Sequence, residues 1–462
     1  MTNNSKLRRL GVIATLVAAS LLAGRASATP SLVIDVATGQ VLEQDQATAS
    51  WYPASVTKLM TTYVALGAVR AGRITMDTPL VMSPRACRMA PSKMGFRAGS
   101  EVTLRNALIM LMVKSANDIA VAIAEGVSGS VEAFADEMNQ ASEALGMTQS
   151  QWVNPNGLPD SRQVTSARDL AILGRALYLQ YPESAGLFNI GSMQFGGHIE
   201  PNHNGLIGRY PGADGMKTGF TCPAGFNVVA SATRNGQHLL AVILGAPSAT
   251  ARTAKAAALF DRAFAAPTPI GTLASIPSAG PTAAPDMRDR VCRNRGAATA
   301  EFMAEVDGIA APPSTGIPLL DTLGGGSPLP PREVALLPRP QFQPVRVYLG
   351  RAPGYVGPVA RARPAGAPIG AGGEATAYAN ESAAPDADAS PISQPAADAT
   401  PLRHVGKRGK RHAAAAPADD IAQEPAEAPA KAKGKSADKK SGKKAEKKAE
   451  KAAAEASKPA PA

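Results

Sequence analysis

Cysteine is scarce in this 462-residue chain: Cys87, Cys222 and Cys292 stand alone and far apart, with no spacing that would hold a zinc ion. Histidine is nearly as thin. Only His198, His203 and His238 precede the C-terminal tail, and none lies beside a serine signature, so no histidine is available as the base of a serine–histidine pair. The apolar run Leu10 to Gly24 falls short of the roughly 20 residues that a membrane-spanning helix needs. Excess charge is missing from the first half as well. Residues 29–266 carry 18 basic against 17 acidic side chains, while residues 401–462 carry 16 against 8. Most of the +11 net charge therefore belongs to the tail, and the basic balance is no argument for nucleic-acid binding by the rest.

What is present begins with an export pattern. Lys6, Arg8 and Arg9 precede the apolar run, and Ala26-Ser27-Ala28 fits the small-x-small cleavage rule, so residues 1–28 read as a signal peptide. Export implies the periplasm or the outer face of the cytoplasmic membrane, where disulfides are allowed. Residues 29–266 then carry the globular pattern. Ser31–Val36 and Val41–Glu43 read as a hairpin about a Gly39 turn. A helix is expected from near Ser55, with Pro53 just ahead of it. Further helices are expected over Thr103–Val113, from about Asp118 to Glu125, over Val131–Leu145, from Ser166, and over about Thr250–Phe264. Pro201–Gly219 reads as loop-like, and Phe226–Ala232 and His238–Leu244 read as strands joined at Asn235-Gly236. Hairpin, helices, hairpin and helix in that order predict a mostly antiparallel sheet packed by helices from both sides.

Beyond Pro267 the composition shifts to Pro, Ala and Gly with few aromatics, too little apolar surface to offset chain entropy. Residues 267–400 are expected to be a mostly disordered linker, with local order at islands such as Ala300–Val306 and Pro344–Leu349. Residues 401–462 form a basic Lys/Ala-rich tail whose only apolar component is alanine, a poor membrane-inserting face.

Three short signatures stand in one order: Ser55-Val56-Thr57-Lys58, Ser115-Ala116-Asn117 and Lys217-Thr218-Gly219. The first two have an ordinary reading. The first is a core helix with an incidental lysine, a pattern repeated at Ser436–Lys439 and Ser441–Lys444 in the tail. The second is helix capping. Each also has a chemical reading. Residues three apart share a helical face, so Lys58 lies beside Ser55, and burial would lower its pKa enough to take the serine's proton. Ser115 can relay a proton to a leaving amine, and Asn117 can donate to a substrate carbonyl and hold Lys58. Gly219 on a sheet edge would let an extended peptide approach the backbone.

Together these stretches resemble the D-alanyl-D-alanine carboxypeptidases, low-molecular-weight penicillin-binding proteins of the serine peptidase type. Tyr52-Pro53-Ala54-Ser55, Asn154-Pro155-Asn156-Gly157-Leu158 and Thr165–Leu170 support it, from about Pro30 to Ala266. The resemblance implies an α/β (α+β) fold with an antiparallel five-stranded sheet. It implies removal of the terminal D-alanine from peptidoglycan stem peptides through an acyl-enzyme on Ser55, with β-lactams as acylating inhibitors and no cofactor or metal. It further implies Lys217 and Thr218 at the substrate carboxylate, helped by Arg252, and an oxyanion hole from the backbone N–H groups of Ser55 and Phe220. For Arg252 a solvated helix charge is the competing reading.

Alternatives stay open. A β-lactamase is disfavoured, because no Glu-x-x-Leu-Asn loop lies between Ser115 and Lys217. An endopeptidase cutting crosslinks is not separated from a carboxypeptidase. From another class, an envelope-binding protein would act mainly through its tail, whose lysines can meet anionic polymers or lipid headgroups. Three cysteines allow three pairings or none; Cys222–Cys292 would tie the C-terminal region beside the Gly219 edge.

Overall fold

The computed structural model describes residues 29–265, 268–277, 282–310 and 336–364; the expected signal peptide and basic tail lie outside them. The chain opens with strands β1 (Ser31–Asp35) and β2 (Gln40–Asp45), then a 3₁₀ turn, Ala54–Thr57, that runs directly into helix α1 (Lys58–Arg70). A small hairpin of β3 (Pro79–Val81) and β4 (Glu101–Thr103) brackets the short helix α2 (Pro84–Cys87). Helices α3 (Leu104–Val113), α4 (Asn117–Ser128), α5 (Val131–Leu145) and α6 (Ala167–Gln180) follow. Next come the hairpin β5 (Ser192–Phe195) and β6 (His198–Pro201) and the long strands β7 (Ala213–Thr221), β8 (Gly225–Arg234) and β9 (Gln237–Ala246). Helix α7 (Ala249–Ala265), the two-residue strand β10 (Gly271–Thr272), helix α8 (Arg295–Ala310) and β11 (Val345–Val347) follow, with short helical turns at Pro182–Leu187, Leu273–Ser275 and Asp289–Arg293.

The central sheet runs β10-β2-β1-β9-β8-β7, antiparallel throughout, so the expected five strands are joined at one edge by β10. Alternation of side chains sorts it into two cores. Val33, Val228, Ala230, Leu239, Ala241 and Ile243 pack with Ala256, Ala257 and Phe260 of α7. Ile34, Val229, Leu240, Val242 and Leu244 face the opposite way, into the larger core shared with α1, α3, α4 and α6. Both faces are covered, which is why β8 and β9 read as nearly unbroken apolar runs. The helices start where their caps place them: Thr103, Ser130 and Ser166 side chains accept from the third backbone N–H of α3, α5 and α6.

Two readings of the sequence need correction. The stretch 201–219 was expected to be loop-like, yet residues 213–219 belong to β7; two glycines and a lysine conceal the strand, because none favours β structure. The hairpin β5–β6 was not foreseen. The ordered chain also extends past residue 266, where composition argued for linker. Leu273, Met287, Val291, Phe302 and Val306 are few but well spaced, and each is buried in the larger core. Residues 300–306 and 345–347 fall within islands expected to order locally. Lys255, buried in α7, meets Glu305 of α8 at 2.7 Å and the Thr29 hydroxyl at 3.1 Å. Cys222 and Cys292 are joined by a disulfide across 70 residues, and Cys87 is free. Among the described residues no helix is long and apolar enough to cross a membrane.

The crosslink restricts the unfolded chain over a long loop. Replacing both partners (Cys222→Ser with Cys292→Ser) is expected to lower the unfolding free energy by about 2–4 kcal/mol, read from denaturant titration under non-reducing conditions.

Candidate active site

The residues ahead of Ser55 are pinned from two sides. Trp51 exchanges backbone hydrogen bonds with Thr165 at 2.8 and 2.9 Å, and its indole N–H donates to the Ala224 carbonyl at 2.8 Å. The Asn227 amide, from β8, donates to the carbonyls of Tyr52 and Pro53. Ala54, the first residue of the 3₁₀ segment, takes φ of +48°. The expected helix thus begins as a tighter turn, with Ser55 inside it and Lys58 as the first α-helical residue.

Lys58 is fully buried and does not snorkel out. Its Nζ lies 2.9 Å from Ser55 Oγ, 2.8 Å from Asn117 Oδ1 and 2.6 Å from the Asn156 carbonyl oxygen. Burial holds this amine well below the ordinary lysine range. The nearby charge of Lys217 pushes the same way, and Asp118 opposes both. A neutral amine has two N–H groups and one lone pair. The amide oxygen of Asn117 and the carbonyl of Asn156 can only accept, so they take the two N–H groups and leave the lone pair to Ser55 Oγ. That arrangement can accept a proton from a nucleophilic hydroxyl.

Asn117 opens α4. Its Nδ2 donates to the carbonyls of Ala90 and Pro91 at 3.0 and 3.2 Å, which fixes Oδ1 as the atom facing Lys58. The Asp118 carboxylate takes the backbone N–H groups of Met94 and Gly95, fastening the same loop. Ser115 sits between α3 and α4 with φ of +61°, an unfavourable conformation for a residue with a Cβ. Its buried Oγ has no hydrogen-bond partner among the described residues. A strained backbone carrying an unsatisfied hydroxyl is the kind of local cost found at functional sites.

Lys217, Thr218 and Gly219 lie on β7, the edge strand, paired to Val229, Val228 and Asn227. A Cβ added at Gly219 would stand 2.8 Å from the Ser55 nitrogen and 2.9 Å from that of Val56, so only glycine lets strand and turn approach this closely. Gly157 plays the same part from the loop side: φ is +83°, and a Cβ there would stand 1.9 Å from the Ala54 carbonyl oxygen. Lys217 is 2 % exposed, and its Nζ donates to the Thr218 carbonyl at 2.9 Å. Phe220 stacks on Phe226 with ring centroids 4.1 Å apart. Arg252 is 1 % exposed and so is not a solvated helix charge. Its guanidinium contacts the carbonyls of His203 and Asn227, the latter residue being the cross-strand partner of Gly219.

Direct hydrogen bonds therefore join Ser55, Lys58 and Asn117, close packing adds Gly219, and electrostatics couples Lys217 to Lys58. Sequence reasoning missed three participants: the Asn156 carbonyl, the Asp118 carboxylate and Gly157. The turn-rich run Asn154–Gly157 was the available signal for two of them. Among the described residues no group of acidic, histidine and cysteine side chains is arranged to hold a metal ion.

Residues 17–248 match a family model described as D-alanyl-D-alanine carboxypeptidase. The chain is similar to the D-alanyl-D-alanine carboxypeptidase DacA of Haemophilus influenzae, with 34% identity over 239 residues, covering 51% of this chain and 61% of that one. It is similar also to DacF of Bacillus subtilis, with 33% identity over 250 residues, covering 51% and 62%. The chain thus spans about three fifths of the length of these relatives. Among solved structures, penicillin binding protein 5 from Haemophilus influenzae aligns with a TM-score of 0.50 and 33% identity, over 52% of this chain and 72% of that one.

The Lys58 amine is expected to titrate well below free lysine in the unliganded protein. Lys217→Ala should raise its pKa by removing a like charge, and Asp118→Asn should lower it by removing an opposite one. NMR of lysine labelled at Cε reads both shifts; a Lys58 signal in the ordinary lysine range would contradict the geometry's reading.

Proposed function

This chain belongs to the D-alanyl-D-alanine carboxypeptidase family of serine peptidases, and on that premise we propose that it removes the terminal D-alanine from peptidoglycan stem pentapeptides through an acyl-enzyme on Ser55. The observation that carries this reading is the buried Lys58 amine, held against Ser55 Oγ by two carbonyl oxygens.

Ser55 Oγ attacks the carbonyl carbon of the penultimate D-alanine while Lys58 accepts its proton. The oxyanion that forms is met by the backbone N–H groups of Ser55 and Phe220; each such donor typically contributes roughly 3 kcal/mol. The proximity of Gly219 to the Ser55 nitrogen supports that assignment. Breaking the C–N bond releases D-alanine, whose nitrogen takes up the proton from Lys58 through the Ser115 hydroxyl. Lys217 and Thr218 bind its carboxylate, and Arg252 adds positive charge behind the strand. Asn117 Oδ1 keeps Lys58 in place; its Nδ2 donates to the Ala90 and Pro91 carbonyls, so the expected donation to the peptide carbonyl has no free N–H behind it. Water, with Lys58 again as base, then hydrolyses the ester and restores Ser55. β-Lactams acylate the same serine and leave slowly, since no Glu-x-x-Leu-Asn loop lies between Ser115 and Lys217 to position water against their ester.

Export to the periplasm or to the outer face of the cytoplasmic membrane fits the disulfide, a bond that persists in oxidising compartments. We assign residues 29–266 to the catalytic domain, with the segment through α8 fastened to it, and give the basic tail a supporting role at anionic envelope polymers or lipid headgroups.

A fluorescent penicillin is expected to label the wild type covalently and to leave Ser55→Ala unlabelled; equal labelling of the two would overturn the assignment. Gly219→Ala, which drives a methyl into the Ser55 backbone, is expected to slow acylation by more than about tenfold while the protein stays folded, measured by stopped-flow labelling beside circular dichroism.

A further inference from the structure

Past Gly219 the substrate strand continues through Phe220 and Thr221 to Cys222, which is bonded to Cys292. The segment leading to Cys292 is fixed at several more points. Thr282 donates through its N–H and its hydroxyl to Ser50 Oγ at 2.8 and 3.0 Å, the Met287 N–H donates to the Pro223 carbonyl at 2.9 Å, and Val291 is fully buried. A cavity of about 180 Å³ opens where this segment meets the site. Tyr52 and Ala54, just ahead of Ser55, form one side; Leu158 forms another; Thr221, Pro223 and Asp286 close it. At roughly 30 Å³ per water this space holds about six waters, enough for an unbranched side chain.

Among the described residues lining the cavity, only Asp160 and Asp286 are charged. Asp160 is ion-paired with Arg162 at 2.8 Å, whereas Asp286 takes the Arg288 backbone N–H and has no ion-pair partner among the described residues. The neighbouring Arg290 and Arg293 are paired with Glu301 and Asp289. The cavity therefore presents a net negative charge. Under the proposed function, on which this inference rests, the substrate carboxylate lies at Lys217 and Thr218 and the scissile carbonyl at Ser55. An extended peptide advances about 3.3 Å per residue, so the residue preceding the D-alanyl-D-alanine pair is carried toward the Thr221 end, where the cavity lies.

We propose that the disulfide-fastened segment 282–293 forms the wall of a specificity subsite, and that Asp286 makes it favour peptides whose residue before the D-alanyl-D-alanine pair carries a primary ammonium. The contact is solvent-exposed, so the preference is modest, about two- to fivefold, and it weakens with salt.

The test uses the full chain and two peptides ending in D-alanyl-D-alanine after a lysine, one with the side-chain amine free and one with it acetylated. Wild type is expected to show kcat/KM about two- to fivefold higher for the free amine at low ionic strength, with the ratio falling toward one as salt rises. Asp286→Asn should collapse the ratio toward one, and Asp286→Glu should restore it. Freeing the segment with Cys222→Ser and Cys292→Ser should also abolish the preference in protein shown to be folded by its thermal transition; a preference that survives there overturns the role given to the wall. A wild-type ratio of one, or a ratio that Asp286→Asn leaves standing, overturns the subsite alone. Release of D-alanine from neither peptide overturns the proposed function and the subsite with it.

Discussion

A lysine amine kept in a dry pocket with two carbonyl oxygens and one hydroxyl around it is the constraint on which the site depends. Water would solvate the ammonium and restore its ordinary pKa, so the pocket must be closed by structure on every side. The closure is made by three segments far apart in sequence: the turn at Ser55, the start of α4 at Asn117, and the loop at Asn156. Burial and the Lys217 charge favour the uncharged amine, and in that state the two oxygens, which can only accept, take its two N–H groups. The two nearest charges hold that state in balance. Lys217 makes the ammonium harder to form, while Asp118 limits the effect and fastens the loop that orients Asn117.

The sheet is what brings these segments to one place. With helices on both faces, only its edges are open, and β7 is the edge that faces the Ser55 turn. Asn227, one strand in, carries much of the alignment. Its side chain holds Tyr52, Pro53 and Gly245, its backbone pairs with Gly219, and its carbonyl receives Arg252. Displacing that side chain would move the Ser55 turn relative to the strand, although its hydrogen bonds go to the residues ahead of Ser55 and not to Ser55 or Lys58 themselves.

Much of this was legible in the chain. The i, i+3 spacing of Ser55 and Lys58 needs nothing but helical geometry, and the apolar turns after it announce burial. The strands at 226–232 and 238–244, with their Asn235-Gly236 turn, follow from alternation and turn chemistry. Other parts were hidden for physical reasons. The Asn156 contribution is a backbone carbonyl, and every residue has one, so the turn-rich run marks the loop without marking the atom. β7 is built from residues chosen for closeness and charge, against β propensity. The burial of Arg252 depends on what α7 packs against, and helical spacing alone is silent on that. The ordered part beyond residue 266 escaped composition because a handful of apolar side chains and one covalent bond suffice when the surface they meet is already formed.

That covalent bond also decides where this protein can be cut. Compositional change invites a truncation after Ala266, but such a cut separates the two sulfurs of Cys222–Cys292 and strips α8 from Lys255. What remains is a buried lysine facing an emptied surface and an odd thiol at the end of β7, able to pair with a second molecule in an oxidising compartment. A piece that keeps its chemistry to itself is defined by topology: it includes α8, and β11 beyond it, which pairs with β5.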